Sequence, residues 1–347
     1  MKFSICIPQF NRINYLKLSL DILGGQNHSN FEVIISDDCS TDNTEEVIAE
    51  LKDSYNFPII YHRFELNQGY DRNLRKSMEL ATGDYCFILG NDDTLAHSDV
   101  LLHLELFLKE NDLPDLGFCN YCEYSDSKEI TRRAVNTGKI GTGLAVALKY
   151  YSCFSFVAGI IIKRSCFLVE NTNIYDKSIY SQIGLAVQCV LNGSMLFSIN
   201  EIWVYKDITL HSEGILQKSN SYRDFINRNW FAIKKADGGL ISVINVIVMV
   251  LKEKNMYNKS TLIFVLNRVL FRTYPYWILD YKFHDALPSA IGLYIGLNPL
   301  RNPYFNDLTN YQKFVLLTKY HGISCVLFLF PSKLFFTLQH RLYHLIK

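Results

Sequence analysis

The sequence has no excess of either charge: 35 Lys+Arg stand against 34 Asp+Glu over 347 residues. A balance so close to zero lacks the electrostatic footprint of a general nucleic-acid binder, and nucleic acid is not an expected partner. Long hydrophobic runs are missing too. Residues 240–251 are apolar except for Ser242 and Asn245, and 323–330 is shorter still, whereas a spanning helix needs roughly 18 to 20 such residues. No basic segment followed by an apolar one opens the chain, since Lys2 to Pro8 is only strand length, so no cleaved signal peptide is expected and the cytoplasm is the expected compartment. The nine cysteines include one Cys-x-x-Cys, Cys119 and Cys122, with no second pair. That excludes a zinc frame and leaves reduced, mostly buried thiols. Neither Gly-x-Gly-x-x-Gly nor Gly-x-x-x-x-Gly-Lys-Ser/Thr occurs. Without those cradles, any phosphate must be held by a cation and by side chains.

What is present is an alternation of strand and helix signals over the first 120 residues. Strands are expected at Phe3 to Pro8, Phe31 to Ser36, Pro58 to His62 and Tyr85 to Leu89. Helices are expected at Asn14 to Leu23, closed by Gly24-Gly25, at Thr44 to Leu51, capped by Asp42, and at Arg72 to Ala81, stopped by Thr82-Gly83. A further helix capped by Ser98 should run to Lys109. This order predicts right-handed crossovers and an α/β fold with a mostly parallel sheet flanked by helices. At 347 residues the chain exceeds one core, so a second, appended unit is expected.

In such a sheet, ligands bind beyond the carboxyl ends of the strands. Four polar loops converge there: Pro8 to Arg12, Asp37 to Asp42, Asn67 to Asn73 and Gly90 to Thr94. Asp92 and Asp93 follow the buried strand Tyr85 to Leu89 and can hold a hard divalent cation, Mg2+ or Mn2+, that in turn holds phosphate oxygens. Asp38 offers an acceptor for a base or ribose, and Arg72 a planar fork for a diphosphate. Each has a competing structural reading. Asn91-Asp92-Asp93 can be a solvated turn, Asp38 can cap the turn that follows it, and Arg72 can pair with Asp71 or Asp84.

Ser4-Ile5-Cys6-Ile7-Pro8-Gln9-Phe10-Asn11-Arg12, Ile35 to Thr44, and Gly83-Asp84-Tyr85 through Asn91-Asp92-Asp93 resemble the family-2 glycosyltransferases of the GT-A fold. Asn67 to Asn73 is similar to the branch that includes abequosyltransferases and related O-antigen sugar transferases. The resemblance covers roughly residues 1 to 215. It implies that Pro8 and Phe10 line a base pocket beside Asn11 and Arg12, that Asp38 accepts from the base, and that Arg72 approaches the base or diphosphate. It also implies that Asp92 binds metal. Gly90 stands where relatives carry the first Asp of Asp-x-Asp, a departure for which Asp93 is the candidate compensation.

Toward the acceptor half, the apolar stretch Phe154 to Ile162 reads as one more strand. The Glu-Asp pair that supplies the base in many inverting relatives is absent. Asp176 is the remaining carboxylate near that position, and Gln182 cannot accept a proton usefully. A solvated loop Asp is the alternative, and the inverting or retaining outcome stays open. His211 lies where relatives place a His in a loop closing over metal and diphosphate, and is a candidate for both metal and catalysis, with a plain surface histidine as the alternative. Gly214 and the polar residues 217–222 suit a segment that orders on binding.

The expected division is a GT-A catalytic domain over 1–222 and a mainly helical region over 223–347. Residues 261–347 carry nine Lys+Arg, three Asp+Glu and four His among many Phe and Tyr. Such a mixture suits helices at an anionic membrane surface, or a bundle packed on the catalytic domain or on a second subunit in a homodimer. With this composition, the resemblance implies a peripheral enzyme of the inner membrane face, moving a sugar from a nucleotide diphosphate sugar donor to a polyprenyl-diphosphate-linked oligosaccharide acceptor. The alternative is a non-catalytic scaffold that binds nucleotide sugar or glycan.

Overall fold

The computed structural model describes residues 1–125, 130–212, 215–218, 239–283 and 286–335, the side chains of 211–218 excepted. The chain divides into two compact units, Met1–Ser221 and Tyr222–Lys347.

The first unit follows the alternation read from the sequence. It runs β1 (Phe3–Gln9), α1 (Ile13–Leu23), β2 (Phe31–Asp37), α2 (Thr44–Leu51), β3 (Ile59–Arg63), α3 (Tyr70–Glu79) and β4 (Tyr85–Ile88). Then come β5 (Thr94–Leu95), α4 (Val100–Glu110), β6 (Leu116–Glu123), β7 (Ile130–Thr131), β8 (Gly138–Gly141) and α5 (Gly143–Tyr150). The unit continues with β9 (Ile160–Lys163), α6 (Arg164–Glu170), α7 (Ser181–Leu191), β10 (Leu196–Lys206) and a hairpin of β11 (Thr209–Ser212) and β12 (Ile215–Lys218).

Every residue of β1, β2 and β4 is buried, as apolar runs covered on both faces should be. The main sheet has the path β3-β2-β1-β4-β9-β6-β10-β5, with β7 beside β6 and β8 beside β10. Strands β3, β2, β1 and β4 are parallel, β9 inserts antiparallel between β4 and β6, and β6 and β10 are again parallel. The sheet is thus mixed but mostly parallel, with its major strands sharing one direction and helices on its faces, the GT-A type of architecture. Its core joins Phe3, Ile5 and Ile7 of β1 to Leu16 and Leu20 of α1 and to Leu101 and Leu104 of α4.

Two local expectations need correction. Ser98 does not cap α4, whose N-cap is Asp99; the Ser98 hydroxyl instead accepts from Asn27 at 3.2 Å. Nor is Phe154 to Ile162 a single strand. Only Ile160–Lys163 is, after a 3-10 turn over Tyr151–Phe154. The buried Arg133 guanidinium collects the carbonyls of Cys153, Phe156 and Ala158 at 2.7–3.0 Å, which curls this run away from the sheet. Gly159, at φ +78, makes the turn back into β9.

The second unit is helical among its described residues: α8 (Leu240–Glu253), α9 (Lys259–Arg268), α10 (Tyr274–Phe283), α11 (Leu287–Gly296) and α12 (Asn310–Leu329). A π turn at Val269–Thr273 joins α9 to α10. It precedes Pro275, which has no N–H to continue the regular ladder. No helix among the described residues is long and apolar enough to cross a membrane.

Candidate active site

Register brings the polar loops to one edge. Gln9 at the end of β1 pairs with Asp37 at the end of β2, and Asp37 with Arg63 at the end of β3, while Leu89 after β4 donates to the Cys6 carbonyl at 3.0 Å. The loops are then tied to one another. Asn91 donates to Gln9 Oε1 at 3.0 Å and to the Phe10 carbonyl at 3.3 Å, and Asn73 of α3 donates to the Gln9 carbonyl at 2.9 Å. Asn11 accepts from the Thr41 N–H at 2.7 Å. Asp42 accepts from the Arg12 and Ile13 N–H groups and from Thr44, so one side chain ties the starts of α1 and α2, although the N-cap of α2 is Asn43 rather than Asp42 as expected. Asn11 (φ 42), Arg12 (φ 120) and Cys39 (φ 61) all have positive φ, and such backbone cost is commonly stored where a site is preorganised.

The two carboxylates after β2 divide their work. Asp37 is fully buried and accepts from the Ser40 N–H and hydroxyl and from Tyr61 at 2.6 Å. Asp38 accepts from the N–H groups of Gln68 at 2.5 Å and Gly69 at 2.9 Å, fixing the entry to α3 rather than its own turn. Burial raises the Asp38 pKa despite those two hydrogen bonds. Gly69 has φ +85, a conformation that a side chain there would strain. Pro8 is buried within β1, and Phe10 is exposed at its end.

After β4, Asp92 pairs with the Arg12 guanidinium across the loop boundary, and its carbonyl accepts from the Ile208 N–H at 2.7 Å. Asp93 is only 3% exposed. One of its oxygens accepts from the Gly90 N–H at 3.2 Å, the other from the Asp207 N–H at 3.1 Å, and its carboxylate occupies the space that a Cβ at position 90 would need. Burial, and then the negative charges of Asp92 and Asp207, push the Asp93 pKa well up. Beside it, Lys206 is held by Glu123 and Asp207. Its pKa is raised, although burial works against the charge. A hard cation fits this donor chemistry, because two adjacent oxygen ligands carry mutual repulsion that a divalent ion relieves. Among the described residues no three His, Cys, Asp or Glu side chains converge into a complete metal site, so Asp92 and Asp93 would supply part of a coordination shell.

Two expected site residues pair elsewhere, and the side chain of a third, His211, lies outside the described residues. Arg72 does not pair with Asp71 or Asp84. It reaches along α3 to Glu79 at 3.1 Å, away from the helix start beside Asp38. Asp71 instead accepts from the N–H groups of Ile179 and Ser181 at 2.7 and 3.1 Å and so caps α7. Asp176 is neither a free base nor a solvated loop residue, because Arg75 grips both its oxygens at 3.3 and 2.6 Å. His211 lies in β11, opposite Leu216 of β12. Its side chain, Gly214 and residues 219–222 lie outside the described residues. Sequence reasoning missed Asp207, whose backbone N–H holds Asp93 while its carboxylate pairs with Lys206, and Arg75, whose helical position carries no motif.

Residues 4–165 match the model of Glycosyl transferase family 2. That segment is a family-2 glycosyltransferase domain. Over 122 residues the chain is 48% identical to the abequosyltransferase RfbV of Salmonella typhimurium, covering 35% of this chain and 36% of that protein. It is 28% identical over 170 residues to the amylovoran biosynthesis glycosyltransferase AmsB of Erwinia amylovora, covering 47% of this chain and 56% of that one. The chain thus matches about a third to just over half the length of these curated relatives. S. aureus TarS, solved as residues 1–349 in complex with UDP-GlcNAc, superposes with a TM-score of 0.52 over 93% of this chain and 90% of its own, at 15% identity, a likeness of fold. The family-2 domain thus contains all four loops up to Asp93, while Asp207 and His211 lie beyond the matched segment.

Proposed function

We propose that the protein transfers a sugar from a nucleotide diphosphate donor to a hydroxyl of a polyprenyl-diphosphate-linked oligosaccharide, in O-antigen or other surface polysaccharide synthesis. The similarity to an abequosyltransferase favours a deoxyhexose. The observation that carries this reading is the junction of Asp38, Arg12 with Asp92, and buried Asp93 at the carboxyl edge of β1, β2 and β4. Phe10, exposed at the end of β1, offers its ring to the base, and Asp38 keeps a lone pair free on each oxygen beyond the bonds to Gln68 and Gly69. Asn11 fixes the path of this loop, and Arg12 can turn its planar fork from Asp92 to a diphosphate oxygen. Asp92 and Asp93 would hold Mg2+ or Mn2+, which supplies Lewis-acid stabilisation of the departing diphosphate. His211, on the hairpin that follows Asp207, is the side chain we assign to the leaving-group side. The acceptor places the enzyme peripherally at the inner face of the cytoplasmic membrane, as a monomer or a homodimer.

A thermal-shift series tests the donor site. UDP, CDP, GDP and dTDP are compared with and without Mn2+ on wild type and on Asp92→Ala. One nucleotide should raise Tm only with metal, and the variant should lose that rise. If no nucleotide shifts the wild type at about millimolar concentration, where an affinity in that range or tighter would register, the donor assignment fails.

A further inference from the structure

Charge is not spread evenly along this neutral chain. Residues 1–221 hold 19 Lys+Arg against 28 Asp+Glu, a net −9, and residues 222–347 hold 16 against 6, a net +10. The asymmetry sharpens within the second unit: between 286 and 335 Asp307 is the sole carboxylate, and it already accepts from Tyr257. Helix α12 has no Asp or Glu in 20 residues, and α11 has no charged residue at all.

Helices of that composition are normally buried. These two pack together on one side, where Tyr320 donates to the Tyr294 carbonyl at 2.6 Å and the two rings stack. Their other sides are exposed and apolar. On α12, Tyr311 (77% exposed), Phe314 (68%), Val326 and Leu329 (85%) share one arc with Thr318, Gly322 and Cys325, and Lys319 stands exposed at its border. On α11, Leu287, Ile291 and Ile295 recur every fourth residue and are each 44–49% exposed. A solvated helix carries polar groups on that face, so these stripes point to an apolar environment rimmed by negative charge.

We infer that the exposed faces of α11 and α12 dock on an anionic phospholipid bilayer, inserting Tyr311, Phe314, Leu329, Ile291 and Ile295 at the headgroup boundary. The proposal deepens the membrane contact proposed above but stands on separate observations. A bilayer suits the charge better than a second copy. A two-fold contact through α12 would bring the acid-free, Lys319-bordered faces of two net-positive units together, whereas an anionic surface attracts them. Absence of a spanning helix among the described residues fits lying on the surface rather than crossing.

The test is co-sedimentation of the full chain with vesicles of phosphatidylcholine alone or with about 30 mol % phosphatidylglycerol. Partitioning should be at least about tenfold stronger onto the anionic vesicles and should weaken in about 0.5 M salt. The Phe314→Ser/Leu329→Ser variant should lose about tenfold or more. Lys319→Glu, at an exposed position where folding is not at stake, should lose several-fold. Equal binding to both vesicles, or none, overturns the proposal. So does a concentration-dependent dimer in sedimentation velocity that Phe314→Ser abolishes while vesicle binding is unchanged, which would make the face a contact between copies. The nucleotide-dependent Tm shift, measured on the same samples, reports separately on the donor site.

Discussion

Gly90 and Asp93 share one space. A Cβ at position 90 would meet the Asp93 carboxylate, itself buried and bonded to the Gly90 and Asp207 N–H groups. Gly90→Ala should therefore displace Asp93, lower stability by about 1–3 kcal/mol and weaken the metal-dependent nucleotide shift, both readable in one thermal-shift series. If Gly90→Ala leaves both unchanged, Asp93 does not hold the site together. Asp176→Asn makes the opposite kind of prediction. With its oxygens gripped by Arg75, its loss should cost stability but less than about tenfold in kcat, whereas loss of a true base costs about 10²–10⁴. The placement of Asp38, Asp92 and Asp93 was legible from position alone, because carboxylates that follow a buried strand fall beyond its carboxyl end whatever the details. The orientation of Arg72 and Asp176 was not legible. Each depends on which of several nearby opposite charges, Glu79 or Arg75, the folded backbone brings within reach.

Among elements, the first four strands were plain in the sequence because each is an apolar run of strand length between turn residues. What holds them in register was not. Glu32, 2% exposed on β2, accepts from Ser4 of β1 at 2.6 Å, from Lys2 at 2.6 Å and from the Thr82 N–H before β4 at 2.7 Å, clamping three strands near their amino ends. Burial works against its charge, but the hydrogen bonds from Lys2, Ser4 and Thr82 prevail and lower its pKa. A lowered native pKa gives stability that is present above the unfolded value, about 4.3, and is lost as pH falls through the native one. Glu32→Gln should accordingly be less stable than wild type at pH 7, and the gap in denaturant midpoint should close as pH drops below about 4. A gap that persists unchanged at low pH contradicts the clamp. The run Phe154 to Ile162 was misread for a related reason. Its apolar pattern suits a strand, but Arg133, outside the run, supplies the donors that turn its carbonyls elsewhere.

For the whole molecule, the core that joins β1, β2, α1, α4 and β10 lies entirely within the first 204 residues, and the second unit buries apolar residues of its own from Leu240 onward. Residues 1–221 expressed alone should therefore fold and keep the nucleotide-dependent Tm shift, while losing vesicle binding. A fragment that binds vesicles as the full chain does would contradict the assignment of membrane contact to the second unit. The helical character and basic, aromatic composition of that unit were readable, but the exposed stripes on α11 and α12 required knowing which face packs inward. Sugar transfer itself is read from release of nucleoside diphosphate from a panel of nucleotide sugars, with Mg2+ or Mn2+ and a lipid-linked acceptor extract. One sugar nucleotide should be consumed in step with a glycosylated lipid product, and Asp92→Ala should abolish the reaction. A nucleotide that binds and stabilises the protein, with no turnover from any sugar in the panel, would contradict the transferase and leave a nucleotide-sugar-binding scaffold.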